Sequence, residues 1–323
     1  MRKQAIFVIL ISLSITSGCF ESDDSDSDQE VEYPSVSRED KIPEGAVKGT
    51  PNTDSSPLVL HSDLFMDPVP LKGEVNTAGA EDSPFITEDG ETLYFFFTPD
   101  VDVPPEKQIL DDVTGIWFSE LIGKKWSKPK RVWLQDPDKL ALDGAHWVGG
   151  DEIWFGSARE GYAGVNLFTA ERMNGEWGNW EYAGDLFNKE YEVGELHKVG
   201  DTIYFHSGRD GGKGEYDIWT TTYSEGGWTE PVNIEVVNSP QQDSLPWVSN
   251  DEKEMFLTRA HQGTPSIFRS VKENGSWTEP ELILSSFAGE PTLDLDGNLY
   301  FVHHYYEKGK MIEADIYFCE RIK

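Results

Sequence analysis

The sequence predicts an all-β chain folded as a five-bladed β-propeller, and three observations lead there. A pattern of acidic or small residues, short strand, Gly/Asp/Asn turn and apolar aromatic strand occurs five times: EDSPFITEDGETLYFFF, LDGAHWVGGDEIWFGSAR, VGELHKVGDTIYFHSGR, QDSLPWVSNDEKEMFLTR and AGEPTLDLDGNLYFVHH. Each copy is followed by a third strand, GIWFSEL, NLFTAER, DIWTTTY, SIFRSVK or DIYFCER. Four copies then run into a Trp-led segment, KKWSKPKRVWL, GEWGNWEYAG, GGWTEPVNIE or GSWTEPELIL. Four short strands rich in β-branched and aromatic residues, repeating with a period in the low-to-middle forties, make one blade per copy.

The fifth copy lacks the Trp-led strand. Near the start of the chain, LFMDPVPLKGEVNTAGAED parallels WTEPVNIEVVNSPQQDS of the third copy, with DPV against EPV and VN against VN. The expectation is that this N-terminal segment supplies the last strand of the last blade. Such a closure pairs edges that would otherwise stand open.

Ahead of the repeats the chain reads differently. MRKQAIFVILISLSITSGC carries Arg2 and Lys3, an apolar run and small residues, the three regions of an export signal. Ser17-Gly18-Cys19 resembles the lipobox of prokaryotic lipoproteins, in which the cysteine is lipidated. Residues 20–57 are acidic, Ser/Pro-rich and poor in aliphatic residues, and read as a disordered tether. The expected organisation is therefore a signal peptide over 1–19, a tether over 20–57 and the propeller over 58–323. It places the chain outside the cytoplasm, membrane-anchored through Cys19 at an outer membrane, in a periplasm or on a cell surface.

Composition narrows the partners. A chain of 323 residues with 37% hydrophobic residues can build a real core, and its formal net charge is −32. That charge repels phosphate backbones, so no nucleic-acid partner is expected. Protein or glycan ligands and a monomeric state are expected instead. The two cysteines, Cys19 and Cys319, suggest neither a disulfide framework nor a zinc site, and Cys319 reads as a small buried hydrophobe.

SPFITEDGETLYF, with SGRDGGKGEYDIW downstream, resembles the WD40-like propeller repeat of TolB-type proteins and of exported lipoproteins. The resemblance covers residues from about 58 onward. It implies a propeller acting as a binding or interaction module, with a ligand at the mouth of the central channel.

The first strand of each blade lies nearest the axis, so its start collects around one mouth. Glu81 or Asp82, Asp143, Glu195, Asp243 and Glu290 stand there. Converging carboxylates can do acid/base chemistry or hold a hard cation such as calcium; otherwise they cap turns. No cofactor is expected beyond a calcium ion that the channel could hold; His146, His197, His206, His303 and His304 invite a metal reading, but no third ligand follows from their spacing and no protein metal ligands are assigned. Counted back from Phe85, Trp147, Lys198, Trp247 and Thr292, the carboxylates fall at different offsets, so about three of them can face the channel together. The order Asp82, Asp143, Glu195 also resembles the base, pKa-tuning residue and acid of the five-bladed hydrolases that act on arabinan. That resemblance implies an inverting glycosidase as the alternative reading.

His146 and His197 stand where other copies carry Pro84, Pro246 and Pro291. They are candidate ligand-binding residues with Asp243, Glu290, Trp147 and Trp247, the two tryptophans as sugar-stacking faces. Trp126, Trp228 and Trp277 read as packing between blades. Arg159, Arg209 and Arg259 read as ion-pair partners of carboxylates in neighbouring blades.

Overall fold

A computed structural model describes residues 33–136, 138–186 and 194–323, and these are almost entirely β-strand and connecting turn. The expected lipidation residue Cys19 and the expected export signal lie outside the described residues. No helix among the described residues is long and apolar enough to cross a membrane.

Each repeat folds into an antiparallel unit in the order predicted. The first unit pairs Ala80–Ile86, Thr92–Thr98, Gly115–Ile122 and Lys130–Arg131. The second pairs Ala141–Gly149, Glu152–Arg159, Val165–Met173 and Glu176–Tyr182. Leu196–Val199, Thr202–Ser207, Asp217–Ser224 and Val232–Asn233 make the third. Asp243–Val248, Glu254–His261, Thr264–Glu273 and Glu281–Ser285 make the fourth. In the fifth, Ala288–Leu293, Leu299–Glu307 and Lys310–Cys319 are joined at the outer edge by Val69–Pro70, with Val69 opposite Phe318 and Pro70 opposite Tyr317.

The middle strands are apolar on both faces because each sheet is covered on both sides. Tyr94 and Ile116 of the first unit pack with Ile153 and Phe155 of the second. Trp154 and Leu167 meet Phe205 and Trp219 of the third, whose Tyr204 and Ile218 meet Met255 and Leu257 of the fourth. Phe256 and Ile283 pack on Phe301 and Tyr317 of the fifth, and Tyr300 and Ile316 return to Leu93 and Phe95 of the first. This cyclic order explains runs such as LYFFF, which an amphipathic strand would interrupt with polar residues. The Trp-led strands take part as read: Trp126 meets Tyr300 edge-on, Trp228 meets Trp154, and Trp277 joins the layer between the third and fourth units. Cys319 is fully buried, and burial pushes its thiol up to about 12, which suits an inert hydrophobe.

Two features depart from the reading of the N-terminal segment. Val59–Leu60 adds a further strand to the outer edge of the fourth unit, Val59 opposite Ser285 and Leu60 opposite Leu284. Residues 33–57, expected to be a free tether, lie as an extended strap against the sheets. Tyr33 stacks on Trp133, Arg38 is buried, and Lys48 pairs with Glu313 and Asp315. Asp54 accepts a hydrogen bond from His303 at 2.9 Å. The acidic composition misled because the few basic residues of the segment find buried carboxylates, and those pairings decide its course.

The Lys48 site carries a pH dependence. Burial pushes Glu313 up to about 7, with Asp315 adding to the rise and Lys48 opposing it, and burial pushes Asp315 up to about 6. A carboxyl raised in the folded state contributes stability that is full below its unfolded value, 4.5 for Glu313, and is lost as pH rises through about 7. The unfolding free energy should therefore fall between about pH 5 and about pH 7.5, by at most ~3 kcal/mol from Glu313. Glu313→Gln keeps the side-chain shape and should flatten this slope in urea titrations run at each pH. Parallel slopes for the two proteins would remove Glu313 as the cause.

Candidate functional site

The site is built by a distortion shared by four of the five inner strands. The ladder slips between Asp82 and Phe85, Gly144 and Trp147, Ser244 and Trp247, and Gly289 and Thr292. Within each slip one non-glycine residue takes a left-handed backbone: Ser83, Ala145, Leu245 and Glu290, with φ of 47°, 47°, 54° and 57°. The next residue is Pro84, His146, Pro246 or Pro291. A bulge interrupts the hydrogen-bond ladder, so a proline without an N–H costs nothing there, and the left-handed residue re-aims its side chain. The prolines in the repeat are thus the sequence signature of the bulge.

The bulges also stitch neighbouring units together. The Ser83 N–H donates to Glu290 Oε2 at 2.6 Å, the Glu290 N–H to Thr258 Oγ1 at 2.9 Å, and the Leu245 N–H to His206 Nδ1 at 3.4 Å. The inner strands touch in turn, first to second, second to third, third to fourth, fourth to fifth and fifth to first.

Cross-strand pairing corrects one alignment. Phe85 opposes Tyr94, Trp147 opposes Trp154, and His197 opposes Tyr204. His197, not Lys198, therefore shares the position of Phe85, and His146 lies one step earlier, inside its bulge. The two histidines are not equivalent, although both approach the Phe85 ring, with centroids 6.5 and 6.2 Å away. Trp147 also packs on Phe85, and Trp247 on His197 at 5.6 Å, so these rings line the inner wall.

With the register fixed, the carboxylates divide into two sets. Glu81, Asp143 and Asp243 share one position, four residues before the paired aromatic, and each is fully buried against an arginine. Glu81 accepts from Arg38 Nη1 at 3.0 Å, Asp143 from Arg159 Nη2 at 2.9 Å, and Asp243 from Arg259 Nε at 2.5 Å. Arg159 and Arg259 thus pair with their own unit, not with a neighbour. Asp143 and Asp243 do not reach the mouth.

The second set converges there. Asp82, Glu290 and His304 present ligand atoms all within 4.8 Å of one another, with His304 Nε2 3.5 Å from Asp82 Oδ1. Glu195 joins them from the third unit, beside the Ser83 hydroxyl. Burial works against the Asp82 charge, but His304 and hydrogen bonds from Glu290 and the Ser83 N–H outweigh it and hold the carboxyl below its usual range. Burial and the charges of Asp82 and Glu195 push Glu290 well above the ordinary carboxyl value. Glu195 is pushed up to about 7 by burial, with Asp82 adding and the Ser83 hydroxyl opposing. Crowded carboxyl groups separate in this way, the surroundings favouring the charged form of Asp82 and the neutral form of Glu290.

Ser83, His146, Glu195, His197, Trp247 and Glu290 border a space of about 20 Å³. That is room for a water molecule and far below the volume of a sugar-sized pocket. Of the sequence candidates, Asp82, Glu195 and Glu290 come together, while His146, His197, Trp147 and Trp247 form the wall beside them. His304, one of the histidines that invite a metal reading, has no assignment from sequence because it sits on a second strand, whereas the assigned carboxylates all stand at the starts of first strands. The HH pair ending VHH is the signal that could have found it: neighbouring strand residues point to opposite faces, and His303 turns to Asp54 while His304 turns to Asp82.

No protein-family model and no curated protein matches this sequence. Among solved structures, the chain is similar to the endo-arabinase of Bacteroides thetaiotaomicron, at 13% identity over 78% of this chain and 97% of that one, with a TM-score of 0.49. It is similar to the exo-β-1,3-galactanase of Phanerochaete chrysosporium at 13% identity, over 82% of this chain and 66% of that one, with a TM-score of 0.47. TolB from Acinetobacter baumannii is similar at 11% identity, over 76% of this chain and 55% of that one, with a TM-score of 0.42.

Proposed function

We propose that the protein is a five-bladed β-propeller, closed by the strand Val69–Pro70, that works as an extracytoplasmic binding module held to a membrane through lipidated Cys19. Its ligand, a glycan or a protein, rests on the mouth lined by Asp82, Glu195, Glu290 and His304. The cyclic order of the interfaces between units supports the blade count. The observation that carries the functional reading is the mouth itself: converging polar groups around a space of about 20 Å³. Such a surface can grip hydroxyl, amide or cationic groups laid across it, yet it does not enclose a sugar ring.

The same volume weighs against the inverting hydrolase. That chemistry needs two carboxyl groups about 6.5–9.5 Å apart flanking the scissile bond, with room between them for the sugar and the attacking water. Asp143, the middle member of the suggested trio, is locked to Arg159 and Ser157 instead. The test pairs a glycan array with reducing-end assays on arabinan, xylan and galactan. Retention of a ligand class without turnover is expected, with no change in the assays for Glu195→Gln. Turnover by the wild type that disappears in Glu195→Gln would establish the hydrolase and end the module reading.

A further inference from the structure

The two carboxylate sets differ in how their charge is met. Glu81, Asp143 and Asp243 each have an arginine, whereas among the described ion pairs Asp82 is met by His304 alone and none brings a lysine or arginine to Glu195 or Glu290. Three carboxyl groups thus gather with no lysine or arginine among their described ion pairs, their polar neighbours being Ser83 and imidazoles.

Two imidazoles there are incompletely used. His304 Nδ1 is buried without a hydrogen-bond partner. His146, 4% exposed, lines the adjoining space with Glu195 and Glu290, and its ring nitrogens make no side-chain hydrogen bond. A buried imidazole without a partner is costly unless something outside the chain completes it.

We propose that Asp82, Glu290 and His304 bind one divalent transition-metal ion, of the Zn²⁺ or Mn²⁺ type, at the mouth of the channel. The geometry suits it: ligand atoms within 4.8 Å of one another can surround an ion with bonds of about 2.0–2.4 Å after small side-chain movements. The donor set gives the class. Two carboxylates alone would suit Ca²⁺ or Mg²⁺, but an imidazole nitrogen favours the borderline transition ions. Glu195 stands close enough to add charge or hold a metal-bound water, and the open side of the mouth leaves coordination positions for ligand oxygen atoms. The ion would link the first and fifth units, because Asp82 belongs to one and Glu290 and His304 to the other.

The inference rests on the mouth being the functional site, and the two can fail separately. A protein that retains a glycan or protein equally well with and without metal keeps the proposed function and loses the ion. Metal-stripped protein should bind Zn²⁺ or Mn²⁺ at one ion per chain in calorimetry, at least tenfold more tightly than Ca²⁺. His304→Gln and Glu290→Gln should each weaken that binding at least tenfold, while His61→Gln, at a site exposed on the outer edge, should not. Should either mouth variant fold poorly, the wild type still decides: Co²⁺ bound through His304 gives visible absorption bands that Zn²⁺ displaces. Absence of stoichiometric binding, equal affinity in His304→Gln, or a preference for Ca²⁺ overturns the assignment.

Discussion

Arg38→Ala should destabilise the protein by about 3–5 kcal/mol above about pH 8, where Glu81 is ionised and loses the one cation that meets it. Arg38 is 1% exposed and belongs to a strap with no regular strand at this point. Its guanidinium donates to Glu81, to the Val75 carbonyl and to the Glu74 carbonyl, and lies over the rings of Phe95, Phe97 and Trp117. Removing it leaves Glu81 fully buried among Thr77 contacts and no cation. Burial already pushes the Glu81 carboxyl up to about 8 against the pull of Arg38, so below that pH the carboxyl is largely neutral and the loss should be smaller. Adding Glu81→Gln to Arg38→Ala should therefore recover part of the loss in urea unfolding, a coupling that independent sites would not show. A loss below about 1 kcal/mol in Arg38→Ala even above about pH 8 would mean that the strap is docked by something else.

The strap marks where the sequence ran out. Repeats announce themselves through their own regularity, and each strand of each unit could be read from Tyr-Phe runs and Gly/Asp turns. Arg38, Lys48 and Asp54 have no such periodicity. Their partners Glu81, Glu313 and His303 lie 43, 265 and 249 residues away, and only the three-dimensional arrangement brings them together. Local composition described the segment correctly as acidic and polar, and composition says nothing about which of its few cations find a buried acid.

The site was legible to the same extent. The offsets among Asp82, Asp243 and Glu290 implied that the carboxylates could not all face one channel, and Asp243 does fall away from it, but Asp82 and Glu290, one residue apart in offset, come together against simple alternation. Which residues face inward depended on the bulge, since a left-handed residue inside a strand resets the alternation of faces. The Pro84, Pro246 and Pro291 positions carried that information, but as a mark of bulges and not as a site. Glu290 follows directly: at φ 57° it gives up a relaxed backbone, and its carboxyl reaches Ser83 of the neighbouring unit.

Arg159→Met tests the other half of that division. Arg159 Nη2 meets Asp143 at 2.9 Å, Nε meets Ser157 at 3.1 Å, and the guanidinium lies over Phe168 at 4.4 Å and Trp180 at 4.5 Å. With the arginine gone, Asp143 keeps the Ser157 hydroxyl as its remaining side-chain partner while staying fully buried. The expected loss is again about 3–5 kcal/mol, followed by urea unfolding with tryptophan fluorescence, Trp180 reporting locally. Asp143→Asn in the Arg159→Met background should restore part of it, because an amide does not carry a buried charge. The folded double variant should keep full ligand retention at the mouth, since neither residue belongs to the converging set. If Asp143→Asn alone abolishes retention or turnover while unfolding at the wild-type urea concentration, Asp143 acts in the site and the division of the carboxylates into a structural set and a mouth set is wrong.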